Sequence, residues 1–146
     1  MTILQTPRTI VRQATLDDAA FVIELLNEPG WIRFIGDRDI HDLDAARAYI
    51  HERLLSSYAQ HDTLDAPDIG YAVCQAHQGK GYAFEVCQAL VQHGWENLGF
   101  DKLYGYCLPD NVASVNLLEK LGMTYLRDED VNHSDEMCRL YRATRP

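Results

Sequence analysis

The chain has 146 residues, 47% of them hydrophobic and 24% charged, with a formal net charge of −9. That length predicts one domain spanning residues 1–146 with enough apolar material for a core. The acidic balance argues against nucleic acid as a partner, which needs a basic footprint, and no apolar run approaches the span of a bilayer.

Met1–Arg8 lacks a basic stretch followed by an apolar one, so it does not read as a signal peptide and a cytoplasmic location is expected. Thr9–Gln13 alternates around Ile10 and Val11 and predicts a short strand. Thr15 is the expected N-cap of a helix, with Asp18 approximating a capping box. Ala20, Phe21, Ile23, Leu25 and Leu26 supply its apolar face, and Pro29-Gly30 is read as its stop. Trp31–Arg38 reads as a mixed loop. Asp42 or Asp44 caps the next helix, which carries Ala45, Ala48, Tyr49, Leu54 and Leu55.

The chain then turns polar from His61 to Asp68, and Ile69–Cys74 predicts a strand. Gln78-Gly79-Lys80-Gly81-Tyr82-Ala83 opens a long helix whose face holds Ala83, Cys87, Leu90, Val91, Gly94 and Leu98, with Gly99 at its end. Leu103–Leu108 is the next strand. Asn111 caps a helix running to Leu121, and Gly122 closes it. Met123–Leu126 and Met137–Tyr141 read as two last strands around the acidic loop Arg127–Asp135. Helices alternating with strands predict an α/β (α+β) fold with some parallel pairing.

The junction Ile69–Ala83 carries the chemistry. A strand runs into a glycine-bearing loop that becomes a helix, a place where backbone N–H groups and the helix dipole favour phosphate. Gly79 and Gly81 keep side chains away from such an anion, and Lys80 adds a charge. A Walker A loop would need Ser or Thr after Gly79-Lys80, where Gly81 stands; a dinucleotide fingerprint would need glycine at Phe84. A plain two-glycine turn is the remaining alternative. Cys74, Cys87, Cys107 and Cys138 form no CxxC pair and read as packing residues, and the run His61, Asp62, Asp65, Asp68 matches no metal-binding loop, so no metal is expected.

Gln78–Ala83 resembles the (Arg/Gln)-x-x-Gly-x-(Gly/Ala) signature of the GNAT acetyltransferase superfamily, and Asp110–Met123 is similar to that superfamily's second signature, Asn-x-x-(Ser/Ala)…Glu-Lys-x-Gly-Phe. Asn27-Glu28-Pro29, Phe34–Arg38 and Ala46–Ile50 resemble the branch containing bacterial ribosomal-protein N-terminal acetyltransferases. The resemblance implies a mixed sheet flanked by helices and an acetyl-CoA co-substrate. It places Gln78, Gly79, Lys80, Gly81, Tyr82, Ala83, Asn111 and Ser114 at the cofactor, and the backbone near Val73 on the thioester carbonyl. It also implies Asp68 as base through water, and Ser114 in place of the tyrosine that many members carry where this chain has Leu118. The acceptor would be a primary amine, either a small molecule or a protein N-terminus. His77 reads as a solvent or phosphate contact, and Trp31 and Phe34 as core or acceptor lining.

The chain departs from that pattern in one place. Gln60–Asp68 is too short and polar for the two antiparallel strands expected before Ile69, each pair needing about 15 residues. The strand Thr9–Gln13 must then pair elsewhere, take a partner from a second chain or stay frayed, and an uncovered edge favours a homodimer. Two functions follow: an active N-acyltransferase, or a CoA-binding protein that has lost part of its acceptor side.

Overall fold

The computed structural model describes residues 1–55, 64–130 and 136–146. The chain forms two compact units, one from Met1–His61 with Ala72–Lys80 and one from Asp62–Tyr71 with Gly81–Pro146. Among the described residues no helix is long and apolar enough to cross a membrane.

The first unit opens with a hairpin. Strand β1 (Thr2–Gln5) pairs antiparallel with β2 (Ile10–Arg12). Its turn is held by Thr6, which is buried: the Thr6 amide donates to the Thr9 carbonyl at 2.9 Å, and the Thr9 amide donates back to Thr6 Oγ1 at 3.0 Å. The strand expected at Thr9–Gln13 therefore finds its partner in the segment just before it. The orphaned edge that pointed to a borrowed strand is supplied locally, because a hairpin closes a short loop at low entropic cost.

Arg12 then grips Asp18 through both guanidinium nitrogens, at 2.8 and 2.6 Å, and the Thr15 amide donates to the same carboxylate at 2.8 Å. This pairing holds the Asp18 carboxyl far below the usual carboxylate range, with Arg12 as the leading cause. A short 3-10 turn, Leu16–Asp18, leads into α1 (Ala19–Leu26). Ala19, Val22 and Leu26 are its buried residues, whereas Phe21 is 52% exposed. The apolar face is thus rotated from the one expected: Ala19 to Val22 to Leu26 keeps the three–four spacing that a single helix stripe requires, and Phe21 falls outside it.

Pro29-Gly30 does not stop the helical region. It starts α2 (Pro29–Phe34), which includes residues expected to be loop. Proline suits the first helical position, where its missing N–H has no intrahelical acceptor anyway. Helix α3 (Leu43–Tyr49) is capped by Asp42, whose carboxylate accepts from the Ala45 amide at 2.8 Å, and it continues as a wider π-helical stretch, Ile50–Leu55. Val22, Leu26, Ile40, Ala46 and Ile50 form this unit's core, with Trp31 packed against it.

The second unit is built on an antiparallel sheet of three strands, β3 (Lys102–Cys107), β4 (Thr124–Glu129) and β5 (Cys138–Thr144), in the order β3-β5-β4. Tyr141 faces Gly105 on one side and Tyr125 on the other, and the β4–β5 ladder slips between Tyr125 and Arg127. Residues 127–129, expected to be loop, extend β4, and 131–135 lie outside the described residues. Helices α4 (Tyr82–Glu96) and α5 (Val112–Lys120) contribute Cys87 and Leu118 to a core shared with Ile69, Leu103, Cys107, Met123 and Tyr141.

The strand expected at Ile69–Cys74 does not form as a ladder. One parallel bridge joins Asp68 to Tyr104, and the Ile69 amide donates to the Tyr104 carbonyl at 2.8 Å. It is the one instance of the expected parallel pairing among the described residues. No strand occurs between residues 64 and 101, and Gln60–Thr63 of the shortened segment lie outside the described residues.

This core has no room for a side chain at Gly105 of β3. A Cβ there would stand 2.6 Å from Leu118 Cδ2 and 3.2 Å from Met123 Sδ. Overpacking a filled core costs about 1–3 kcal/mol. Gly105→Ala is expected to lower the unfolding free energy by about 1–3 kcal/mol, read by urea unfolding as a lower midpoint at an unchanged slope.

Candidate functional site

The segment Val73–Lys80 of the first unit is tied down by its own side chains. Cys74 precedes a 3-10 turn, Gln75–His77, closed by the His77 amide donating to the Cys74 carbonyl at 2.8 Å. Gln78 Nε2 donates to the Val73 carbonyl at 2.8 Å, and Lys80 Nζ to the Ala76 carbonyl at 2.9 Å. Arg8 reaches the Lys80 carbonyl at 2.9 Å. Three carbonyls that would otherwise face outward are thereby engaged by donors, which lowers the negative potential around the loop. Gln78, Gly79, Lys80 and Gly81 are all exposed.

Gly79 and Gly81 have φ of +72° and +80°, conformations that side chains disfavour by about 1–2 kcal/mol. The expectation of a glycine-dependent loop is met at both positions. Gly81 is the N-cap of α4 and offers no side-chain acceptor. The first turn of this 15-residue helix, beginning Tyr82-Ala83-Phe84, therefore has no side-chain cap and lies at the positive end of the helix dipole. The local arrangement suits an anion.

The second unit places Asn111 and Ser114 at the start of α5. Asn111 Oδ1 accepts from the Ser114 amide at 3.2 Å, so its carbonyl oxygen is the cap and its NH₂ group points elsewhere. The Ser114 carbonyl accepts from the Tyr71 hydroxyl at 3.2 Å. Tyr71 lies just past the bridge at Asp68. Burial pushes that phenol up to about 12, partly opposed by the bond to Ser114. It is a proton-bearing donor throughout the neutral range. Sequence reading assigned Tyr71 only to a strand; a lone tyrosine in an apolar run carries no signal of such a reach.

Asp68 is exposed at the bridge to β3. Leu118, at the position where the resemblance implies a tyrosine, is 1% exposed and lies in the core. His77 is exposed in its turn. Trp31 packs on the first unit's core, and Arg33 covers the Phe34 ring at 4.8 Å. The four cysteines are buried and unbridged, and burial raises the Cys87 and Cys107 thiols to about 11, in keeping with packing roles for those two.

Asp65 is a structural residue that the sequence reading set aside with a discounted acidic run; His61 and Asp62 of that run lie outside the described residues. Its carboxylate pairs with the Lys102 ammonium and accepts from the Tyr104 hydroxyl at 2.9 Å. Asp65 thus pins the approach to Asp68 onto β3. Its carboxyl is held below the ordinary value, first by Lys102 and then by Tyr104. A depressed folded-state pKa gives stability that is present above the unfolded value and lost as pH falls through the folded one. Asp65→Asn is expected to melt below the wild type at pH 7, and the gap should close as the pH is lowered through the carboxylate range, followed by thermal denaturation monitored by circular dichroism.

Residues 55–124 match the family model described as acetyltransferase (GNAT) domain. The uncharacterized N-acetyltransferase YnaD of Bacillus subtilis is 32% identical over 56 residues, covering 38% of this chain and 33% of that protein, so this match spans a third of the relative's length. The uncharacterized N-acetyltransferase YoaA of the same organism is 25% identical over 144 residues, covering 82% of this chain and 81% of that protein. Among solved structures, a GNAT-family acetyltransferase from Bacillus anthracis superimposes with a TM-score of 0.76 at 20% identity, covering 97% of this chain and 96% of the other. The microcin C7 self-immunity acetyltransferase MccE, solved with acetyl-CoA and AMP, gives 0.76 at 16% identity over 93% and 92%. RimL, a ribosomal L7/L12 alpha-N-protein acetyltransferase solved with coenzyme A, gives 0.74 at 16% over 92% and 93%.

Proposed function

We propose that this chain, which carries a GNAT acetyltransferase domain and has the GNAT fold, transfers an acetyl group from acetyl-CoA to a primary amine as a single domain. The observation that carries this reading is the start of α4, which has no side-chain cap and follows two exposed left-handed glycines. A pyrophosphate needs several inward N–H donors and no intruding side chain, and Gln78, Gly79, Lys80, Gly81, Tyr82 and Ala83 supply that chemistry. MccE, of like fold, was solved with acetyl-CoA. Asn111 and Ser114 sit at a second helix start suited to the cofactor.

In the proposed reaction the amine nitrogen attacks the thioester carbonyl carbon, the C–S bond breaks, and the thiolate takes up a proton. The Val73 amide, which donates to no partner among the described residues, is assigned to the carbonyl oxygen. Asp68 takes the proton from the ammonium through water. Ser114 is assigned to return one to the thiolate. A lysine-like amine with a pKa of about 10.4 needs such a base more than an α-amine of about 8. A protein N-terminus is one acceptor class, since RimL acts on one; a small amine is the other.

A second reading is a CoA-binding protein without transfer. The alignment with YoaA is 144 positions long yet takes in only 82% of this 146-residue chain, so it holds positions with no counterpart here. That is what a shortened chain predicts. Homodimerisation rests on less than the sequence suggested, since β2 has its partner in β1.

A thiol-release assay with acetyl-CoA and an amine panel separates the two readings: release above the amine-free rate supports transfer, and binding without release supports the alternative. By calorimetry Gly81→Asp is expected to weaken CoA at least about tenfold, because an acidic side chain enters a left-handed N-cap position at the positive end of a helix. Equal affinity in a folded variant would remove the loop from the site. For the base, Asp68→Asn is expected to lower kcat at pH 7 on the order of a hundredfold with CoA affinity unchanged. Part of that rate should return at higher pH, where free amine accumulates; an unaltered pH–rate profile would dismiss Asp68 as the base.

A further inference from the structure

Glu24, Glu28 and Cys74 come together in the first unit, with one ligand atom of each within 4.8 Å of the others. Glu24 lies in the last turn of α1, and Glu28 is the extended residue that joins α1 to α2. Cys74 comes from a segment distant in sequence. Its residue is 7% exposed, and its thiol does not cap the turn that follows it. A side chain so buried, bonded to no other residue among those described, and directed at two carboxylates calls for a partner.

Part of the cluster has an internal explanation. Both Glu28 oxygens accept from the Gln75 amide, at 3.0 and 2.9 Å. That bond accounts for the place of Glu28, but it uses one donor where a carboxylate has lone pairs for about four. It does not account for Glu24, which has no ion pair among the described residues, nor for the thiol. Two carboxylates converging without a cation repel each other, and an inward thiol does nothing to relieve that repulsion.

We propose that Glu24, Glu28 and Cys74 bind a divalent zinc ion, with water completing the coordination. The donor set selects the metal. A thiolate favours a borderline-soft ion and is a poor ligand for calcium or magnesium, and two carboxylates with one thiolate carry three negative charges, one more than a divalent ion supplies. On binding, the Cys74 S–H proton leaves to solvent and an S–Zn bond forms, with no change in oxidation state. Zinc needs ligand atoms at about 2.0–2.3 Å, closer together than the present outer limit. The exposed Glu24 side chain can swing in to meet that need.

The scaffold is suited to the task. Asn27 Nδ2 donates to the Ile23 and Ile40 carbonyls, each at 2.8 Å, which fixes the backbone beside Glu28. The turn after Cys74 is closed by His77, and Gln78 holds the Val73 carbonyl. The Gln75 amide holds both oxygens of the Glu28 carboxylate, as hydrogen-bonded supports commonly do for metal ligands. The inference is independent of acetyl transfer: zinc binding can fail while transfer succeeds, and the reverse.

The test is cobalt(II) titration of the untagged, reduced protein, followed by near-ultraviolet and visible absorption. One equivalent is expected to give a thiolate-to-cobalt charge-transfer band that zinc removes by displacement. Cys74→Ser should abolish the band, and Glu24→Gln should weaken cobalt about tenfold or more, each with an unchanged circular dichroism spectrum. Should either variant misfold, Cys74→Ala and Glu24→Ala replace it. Absence of the band with millimolar cobalt would overturn the site. So would a band that survives loss of the Cys74 thiol, or affinity indifferent to Glu24.

Discussion

A helix can lie this close to a strand only where the strand has no side chain, and Gly105 provides that gap on β3. Leu118 Cδ2 occupies the space a Cβ would need, and Leu118 is nearly sealed from solvent. The contact sets the height of α5 above the sheet. Since α5 begins at Asn111, it also sets where the Asn111 cap and the Ser114 carbonyl stand. Tyr71 then has a fixed acceptor in the Ser114 carbonyl. One missing methyl group thus underlies the geometry of the second unit's polar groups.

The same reasoning explains why the commitment of Leu118 matters for chemistry. A tyrosine at that position would have to leave the core or push α5 away from Gly105. With leucine there the core is filled, and any proton donor must come from elsewhere. Tyr71 keeps its proton because burial disfavours the phenolate, but its hydroxyl is already engaged by the Ser114 carbonyl. Ser114, partly buried in the first turn of α5, is the hydroxyl assigned to that step in the proposed transfer. Asp65 plays the complementary part on the far side of β3, where its bonds to Lys102 and Tyr104 hold the segment that leads into Asp68.

What could be read in the sequence was whatever local chemistry decides. Gly79, Gly81 and Gly122 were legible because each adopts a positive φ that glycine alone tolerates cheaply. Asn111 and Asp42 were legible as caps because a short acceptor side chain before a helix satisfies an amide that nothing else reaches. Pro29 was misread for a related reason: proline stops a helix from within and starts one from its first position, and only the backbone shows which. Ile69–Cys74 has the apolar character of a strand, but a strand is defined by its neighbour, and the pairing stops after one bridge. The Phe21 exposure and the Thr2–Gln5 strand likewise depend on partners that periodicity does not name.

The two ionic features of the first unit follow opposite logics. At Gly79–Gly81 the chain removes side chains and engages carbonyls through Gln78, Lys80 and Arg8, so that the local backbone is left with donors. A few residues earlier, Cys74 and the end of α1 gather acceptors, with two carboxylates and a thiol and no cation among the described residues. Glycine loops announce themselves in sequence because the constraint is conformational and local. The acceptor cluster does not, because Glu24, Glu28 and Cys74 meet only through tertiary packing, and no spacing rule spans the separation between them. The amide of Gln75 links the two patterns: it steadies Glu28 and belongs to the turn that delivers the chain to Gly79. A change in the pose of that turn is therefore felt on both sides, by the carboxylate that the amide holds and by the carbonyls whose capture leaves the glycine loop fit for an anion.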